Sequence, residues 1–274
     1  MHTIDDTHKH TQMYLPIPLL LLLLCPGGTP FRICTFHLQR FAGPKAAKPP
    51  IMATLVKIIS RCDIAVLQED AKGQAVPALL HALNGTVSPE SYSALSSPPL
   101  DIGRYREHYV FVYQSSRTQV LDAYMYPDES PARPDTFSRD PFLARFSLPS
   151  KALPALVLVP LHMVPTKAEL VVDTLYDVFL ELQAQWGAQD VMFLGDFNAD
   201  CGYVAKKGWG QIRLRGARAP APAPVTPFSP RIVVHGERLL GLVVPGSAQP
   251  FDFPTALGLT EAEALEVSDH YPVE

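Results

Sequence analysis

Glycine and charge are both scarce in this sequence. Only 16 of its 274 residues are Gly and 18% are charged, whereas 28 are Pro and 47% are hydrophobic. A chain this apolar is neither collagen-like nor disordered, and its length allows one large globular domain or two small ones. The net charge of −4 provides no global basic field. A polyanionic partner would therefore need a metal ion or a local cluster of Arg and Lys in order to bind.

No hydrophobic run reaches the roughly 20 residues that a transmembrane helix needs. The run Leu15–Cys25, followed by Pro26-Gly27-Gly28, predicts a signal peptide over residues 1–27 and a single domain over 28–274. Because the preceding segment is long and carries acidic residues, a buried core strand or a membrane anchor is the alternative reading. We expect a secretory-pathway protein, in the endoplasmic reticulum or outside the cell, with no stable membrane span in the mature chain. The sequon at Asn84 agrees and predicts a glycoprotein.

The sequence has only four cysteines, and their positions do not have the spacing of a zinc site. After removal of the signal segment three cysteines remain, at Cys34, Cys62 and Cys201. Because this number is odd in an oxidising compartment, at least one of them is unpaired or pairs between chains.

Strand and helix patterns alternate along the rest of the chain. Ile51–Ser60 has the spacing of an amphipathic helix, Ile64–Leu67 is typical of a buried strand, and Thr166–Trp186 is the longest helical pattern. Tyr109–Tyr113 and Val120–Tyr126, joined by a polar turn, predict a hairpin. This mixed α/β order predicts sheets packed together with helices outside.

Polar side chains recur at the ends of the apolar strands. Loops after strands are where layered α/β folds gather their active sites. The oxygen donors suit Mg²⁺ or Ca²⁺ better than zinc, and two histidines can act as general base and general acid for attack of water on a phosphodiester. The candidate set is His37, Glu69, Glu107, His162, Asp196, Asn198, Asp269 and His270.

From Phe31 to Glu274 the chain resembles the deoxyribonuclease I family, and within it the deoxyribonuclease I-like 1 branch. The resemblance rests on segments that include CDIAVLQE at 62–69, FLGDFNADC at 193–201 and SDHYPVE at 268–274. It implies a four-layer α/β sandwich of two central mixed β-sheets flanked by helices. It also implies hydrolysis of DNA phosphodiester bonds with Mg²⁺ and Ca²⁺, by contact with the DNA backbone and minor groove and with little sequence preference.

The resemblance implies a role for each matching residue. Glu107 and His162 look like one catalytic pair and His270 like the second catalytic histidine, while Tyr105 and Arg139 match DNA-binding positions. The implied ligands of the metal and the scissile phosphate are Glu69, Asp196, Asn198 and Asp269; those of a structural calcium loop are Asp128, Asp135, the carbonyl of Phe137, and Asp140.

The sequence departs from the family pattern at several positions. His37 stands where the family has Asn, and Pro230 stands where an Asp supports the second catalytic histidine. The segment 216–230 (GARAPAPAPVTPFSP) has the composition of an extended connector and lacks the expected partner of Cys201. The chain also ends within the expected last strand.

These departures leave two hypotheses of different classes. The first is a secreted, divalent-metal-dependent endonuclease. The second is a catalytically impaired paralogue or isoform that keeps the sandwich as a binding or structural protein. A metal-dependent phosphatase of the same broad superfamily is a weaker third hypothesis, because GRYREHY at 103–109 and DTFSRD at 135–140 argue against it.

Overall fold

The apolar and β-branched runs of the sequence form two β-sheets. A computed structural model describes residues 30–70, 75–86, 92–102, 105–128, 136–164, 168–197 and 231–274. The predicted signal segment and the proline-rich segment 216–230 lie outside these ranges, so the proposed boundary at residue 27 stays a prediction. Residues 31–274 belong to one compact unit.

The first sheet has four strands in the order β1-β2-β6-β3, and the second has five in the order β11-β10-β9-β8-β7. Both sheets are mixed, since β1 and β2 pair in parallel, as do β9 and β10, while the other pairs are antiparallel. A small antiparallel pair, β4 with β5, stands beside them. The strands are β1 (Ile33–Phe41), β2 (Ile64–Asp70), β3 (Tyr92–Ser96), β4 (Leu100–Ile102), β5 (Tyr105–Glu107), β6 (Val110–Gln114), β7 (Val120–Met125), β8 (Phe142–Ser147), β9 (Ala155–His162), β10 (Val191–Asp196) and β11 (Arg231–His235).

Helices cover the outer faces of the two sheets. The helices in the described ranges are α1 (Gly43–Ala46), α2 (Pro49–Ile59), α3 (Val76–Thr86), α4 (Ala168–Trp186), α5 (Glu237–Leu242), α6 (Phe253–Leu257) and α7 (Glu261–Val267). Residues of α2, α3, α6 and α7 share one core with the first sheet, and α4 shares another with the second. A third core joins the sheets, where Val66 and Phe111 meet Phe146 and Leu158. The predicted four-layer sandwich is confirmed.

The predicted hairpin of residues 109–113 with 120–126 is wrong. β6 lies in the first sheet and β7 in the second, so the polar turn between them crosses from one sheet to the other. Side chains of this turn form hydrogen bonds with residues at both sheets. Arg117 donates to Asp63 Oδ1 at 2.7 Å beside the first sheet, and Thr118 Oγ1 donates to the Ser147 carbonyl at 2.7 Å in the second. These long-range contacts override the local hairpin pattern.

A disulfide joins Cys34 of β1 to Cys62, which follows α2. The sequence did not identify this pair. Both cysteines are buried, and the bond ties β1 to the end of the helix that covers it. Cys201 lies outside the described residues.

Asn84 of the sequon lies in α3, and its side-chain amide is held in the fold. It donates to the Tyr92 carbonyl at 3.1 Å and accepts from the Tyr92 N–H at 2.8 Å. Glycosylation there stays a prediction.

Among the described residues, no helix is both long enough and apolar enough to cross a membrane.

Candidate active site

Two parallel strands of the second sheet bring the first pair of site residues together. His162 ends β9 and Asp196 ends β10, and the two are register partners. Gly195, with φ of 141°, precedes Asp196; a Cβ at this position would lie 2.0 Å from the Leu161 carbonyl oxygen. Only glycine allows β10 to approach β9 this closely. The glycine of the GDFN motif thus sets the distance between His162 and Asp196.

One contact orients the imidazole of His162 and another holds its backbone. Its Nδ1 lies 3.1 Å from Glu107 Oε1, and its backbone N–H donates to the Tyr109 hydroxyl at 3.0 Å. Glu107 is buried and comes from β5, while Tyr109 precedes β6. A carboxylate at Nδ1 fixes the ring orientation and leaves Nε2 to act on a ligand.

Arg139 contacts this pair instead of facing solvent. Its side chain is only 12% exposed, forms an ion pair with Glu107, and donates to the His162 carbonyl at 3.2 Å. The sequence suggested a DNA contact here. The guanidinium lies against the carboxylate that orients His162, and a DNA contact by the same side chain stays a prediction.

His270 faces two carboxylates. Its Nδ1 lies 2.7 Å from Asp269 Oδ1 and its Nε2 lies 3.4 Å from Asp196 Oδ2. Burial disfavours the charged imidazolium, but the hydrogen bonds and charges of Asp196 and Asp269 outweigh it and raise the pKa of His270 to about 9. The same interaction with His270 lowers the pKa of Asp269.

The imidazole of His270 thus has two carboxylate partners within the described residues. Position 230 lies outside them, so the effect of Pro230 on this histidine stays a prediction.

His37 lies between the other two histidines. Its ring centroid is 4.9 Å from that of His162 and 4.2 Å from that of His270, and its Nδ1 lies 3.8 Å from Asp269 Oδ1. Immediately after it the register of β1 with β2 shifts, and Gln39 and Arg40 adopt positive φ angles of 45° and 57°. Bulges of this kind change the direction of neighbouring side chains and are common beside active sites.

Ser268 connects His37 and His270. Its hydroxyl donates to the His37 carbonyl at 2.7 Å and accepts from the His270 N–H at 3.0 Å. Three residues beyond His270, Val273 exchanges backbone hydrogen bonds of 2.9 Å with Thr35 of β1. The long-range bonds of Ser268 and Val273 hold residues 268–273 against β1 and bring His270 to His37. No sequence pattern assigned a role to Ser268, although its position beside Asp269 in the SDH motif was a signal.

Several predicted positions are not tested by this geometry. Glu69 and Tyr105 are placed only as backbone in β2 and β5, and their side chains lie outside the described part. Asn198 and Asp135 lie outside it entirely. In the predicted calcium loop, Asp128 Oδ2 accepts from the Phe137 N–H at 2.8 Å, which brings those two residues together. Among the described residues, no group of three potential metal ligands includes Asp128 or Asp140.

Two groups in the site have the donors and the spacing to hold a metal ion. His37, His162 and Asp196 form one, and His37, Asp269 and His270 form the other, with the ligand atoms of each group within 4.8 Å of one another. The carboxylates of Asp196 and Asp269 supply the oxygen donors that Mg²⁺ and Ca²⁺ prefer, so these residues fit the predicted divalent cation. Both groups also contain imidazole.

Residues 35–270 match the profile of the endonuclease/exonuclease/phosphatase family, and the chain therefore belongs to this class of proteins. Within it, the chain belongs to the deoxyribonuclease I family. It is 49% identical over 279 residues to deoxyribonuclease-1-like 1 of Sus scrofa, covering 97% of this chain and 86% of that one. It is 42% identical over 271 residues to deoxyribonuclease-1 of Rattus norvegicus, covering 94% and 95%.

A solved endonuclease/exonuclease/phosphatase from Bacteroides vulgatus superposes with a TM-score of 0.57 at 14% identity, covering 90% of this chain and 97% of that one. At this identity the likeness supports the fold alone. The sequence relatives identify the chain as a deoxyribonuclease homologue.

Proposed function

We propose that this protein is a divalent-metal-dependent endonuclease that hydrolyses DNA phosphodiester bonds with little sequence preference. The observation that carries the proposal is the pair of carboxylate–histidine contacts, His162 with Glu107 and His270 with Asp196 and Asp269, around one cluster. Relatives named as deoxyribonucleases supply the substrate class.

The two histidines have different surroundings and therefore different roles. His162 has one carboxylate at Nδ1, so its Nε2 can take a proton from the attacking water. His270 has a carboxylate at each ring nitrogen, which favours the imidazolium and suits it to stabilise negative charge on the phosphate and to protonate the leaving oxygen. Arg139 holds Glu107 in place through its ion pair and thereby keeps the His162 ring oriented.

Asp196 and Asp269, with Glu69 and Asn198, are the residues that would hold Mg²⁺. A divalent cation held by these residues would supply positive charge to offset the charge that develops on the phosphate oxygens. The calcium loop of Asp128, Asp135 and Asp140 and the DNA contacts of Tyr105 and Arg139 remain parts of this proposal.

The disulfide supports a secretory location. Structural disulfides form and persist in oxidising compartments and are rare in the cytosol. The buried bond between Cys34 and Cys62 therefore favours synthesis in the endoplasmic reticulum, which agrees with the predicted signal segment.

A plasmid-nicking assay with Mg²⁺ and Ca²⁺ tests the proposal. We expect the parent chain to convert supercoiled DNA to the open circle, and His162→Ala to lower the rate by about 10²–10⁴-fold, the usual contribution of a general base. His235→Ala is the matched control, because it removes a histidine outside the site.

Equal inactivity of the parent and His162→Ala, with both chains folded, would support the impaired paralogue instead. A phosphatase would release inorganic phosphate from a phosphomonoester under the same conditions without nicking DNA.

A further inference from the structure

The imidazole of His37 adds a nitrogen donor to a site whose other proposed cation ligands are oxygens. It is 5% exposed and its ring lies between those of His162 and His270. Mg²⁺ and Ca²⁺ select oxygen ligands, whereas imidazole suits zinc, copper and nickel. The presence of His37 therefore changes which metals the site favours.

Three donors from three strands have the composition of a transition-metal centre. His37 comes from β1, His162 from the end of β9 and Asp196 from the end of β10, and their ligand atoms lie within 4.8 Å of one another. A tetrahedral zinc ion with bonds of about 2.0–2.1 Å requires ligand atoms roughly 3.3 Å apart. Side-chain rotation closes a difference of about 1.5 Å or less without moving the strands. Two histidines and one carboxylate also leave a fourth position open, as in catalytic zinc sites.

The surrounding contacts are those that support metal ligands. A ligating histidine commonly donates its second ring N–H to a carboxylate, and this partner fixes the ring and strengthens the donor atom. His162 has this partner in Glu107, at 3.1 Å from Nδ1, and Glu107 is itself held by Arg139. Asp196 is likewise contacted by His270 Nε2 at 3.4 Å.

We propose that His37, His162 and Asp196 form a binding site for a first-row transition metal ion of the Zn²⁺ class. Occupation of this site removes His162 from proton transfer and inhibits the nuclease. The metal site stands on its own geometry, and only the inhibition rests on the proposed function.

Direct metal binding provides the test. Zn²⁺ affinity is measured on the full, folded chain by competition with a chromophoric chelator, and Co²⁺ is used as a second probe because tetrahedral Co²⁺ absorbs strongly in the visible region. We expect His37→Asn to lose one equivalent of tight Zn²⁺ and the Co²⁺ absorption. The affinity at this site should fall by about 100-fold or more, since loss of an outer partner alone costs about 10–100-fold.

Two further variants make the result specific. Glu107→Gln retains all three ligands and should weaken Zn²⁺ binding about 10–100-fold, which keeps the inference testable if His37→Asn does not fold. His235→Asn is the matched control and should bind Zn²⁺ as the parent does. Because the comparison is between variants, weak binding by His8, His10 or Cys201 cancels.

Equal Zn²⁺ affinity in the parent and His37→Asn overturns the metal site, whatever the nicking assay shows. Loss of binding in His37→Asn with no nicking by any chain leaves the metal site standing and removes the proposed function. When both hold, micromolar Zn²⁺ should inhibit nicking by the parent in the presence of millimolar Mg²⁺, and His37→Asn should require at least about tenfold more Zn²⁺.

Discussion

The two ends of β10 each have a buried aspartate and a nearby histidine, but the partners of the two aspartates differ. Asp190 immediately precedes the strand and Asp196 ends it, and both are 5% exposed. At the first end, Asp190 accepts from the Leu239 N–H at 2.9 Å and from Arg238 Nε at 3.0 Å. At the second end, Asp196 faces His270 and is the register partner of His162.

The pKa values of His235 and His270, the histidines at the two ends, shift in opposite directions. Burial lowers the pKa of His235, which packs on the Phe179 ring at 4.3 Å, and the charge of Asp190 only partly offsets this. The pKa of His270 is raised to about 9 because two carboxylates outweigh its burial. A buried aspartate is therefore not enough to make a site. When fixed donors such as a backbone N–H and a guanidinium satisfy it, it stabilises the fold, and when titratable partners surround it, it supports chemistry.

The largest expected effect is on catalysis at the Asp196 end. Asp196→Asn keeps the shape of the side chain but removes the charge beside His270 and one proposed cation ligand. We expect the nicking rate to fall by about 10²-fold or more. The melting temperature of Asp196→Asn should change less than that of Asp190→Ala. An unchanged rate would mean that this end of β10 has no catalytic role.

The next effect is on stability at the Asp190 end. Asp190→Ala leaves the buried Leu239 N–H without its acceptor, which costs about 1–3 kcal/mol. The ion pair with Arg238 adds little, because that side chain is 57% exposed. For a domain of this size, about 2 kcal/mol lowers the melting temperature by roughly 4–8 °C.

The nicking rate of folded Asp190→Ala should stay within about threefold of the parent, since a substitution far from the chemistry alters the barrier little. A loss of rate as large as that of Asp196→Asn would contradict the division between the two ends of β10.

The smallest effect is a pH dependence from His235. Its pKa is lower in the folded chain than in the unfolded one, so its contribution favours folding above about pH 6.5 and is lost as the pH falls below that value. Asp190 is the charged group identified beside it, and Arg238 binds Asp190. We expect the melting temperature of His235→Gln to decline less between pH 7.5 and pH 5 than that of the parent. His81→Gln, at an exposed position, is the control and should follow the parent; identical slopes in all three chains would refute the assignment to His235.

Much of the site's composition was visible in the sequence because the ends of strands and the SDH motif, which follows α7, are local features. His162, Asp196 and the pair Asp269-His270 each follow a recognisable pattern, and the fold brings all four together. Apart from the pair of Glu107 with His162, which the family resemblance implied, partners set by long-range contacts were not visible. The inward orientation of Arg139 depends on Glu107 from another strand, the Cys34–Cys62 pair depends on how α2 returns to β1, and the separation of β6 from β7 depends on contacts of their turn with both sheets.

The pairing of Thr35 with Val273 also matters for how copies of this protein meet one another. β1 is an edge strand of the first sheet, and an open edge presents unpaired N–H and carbonyl groups to strands of other chains. Val273 occupies part of that edge through its two backbone bonds to Thr35. The bonds that bring His270 to His37 therefore also block edge-to-edge association of two copies at this stretch of β1.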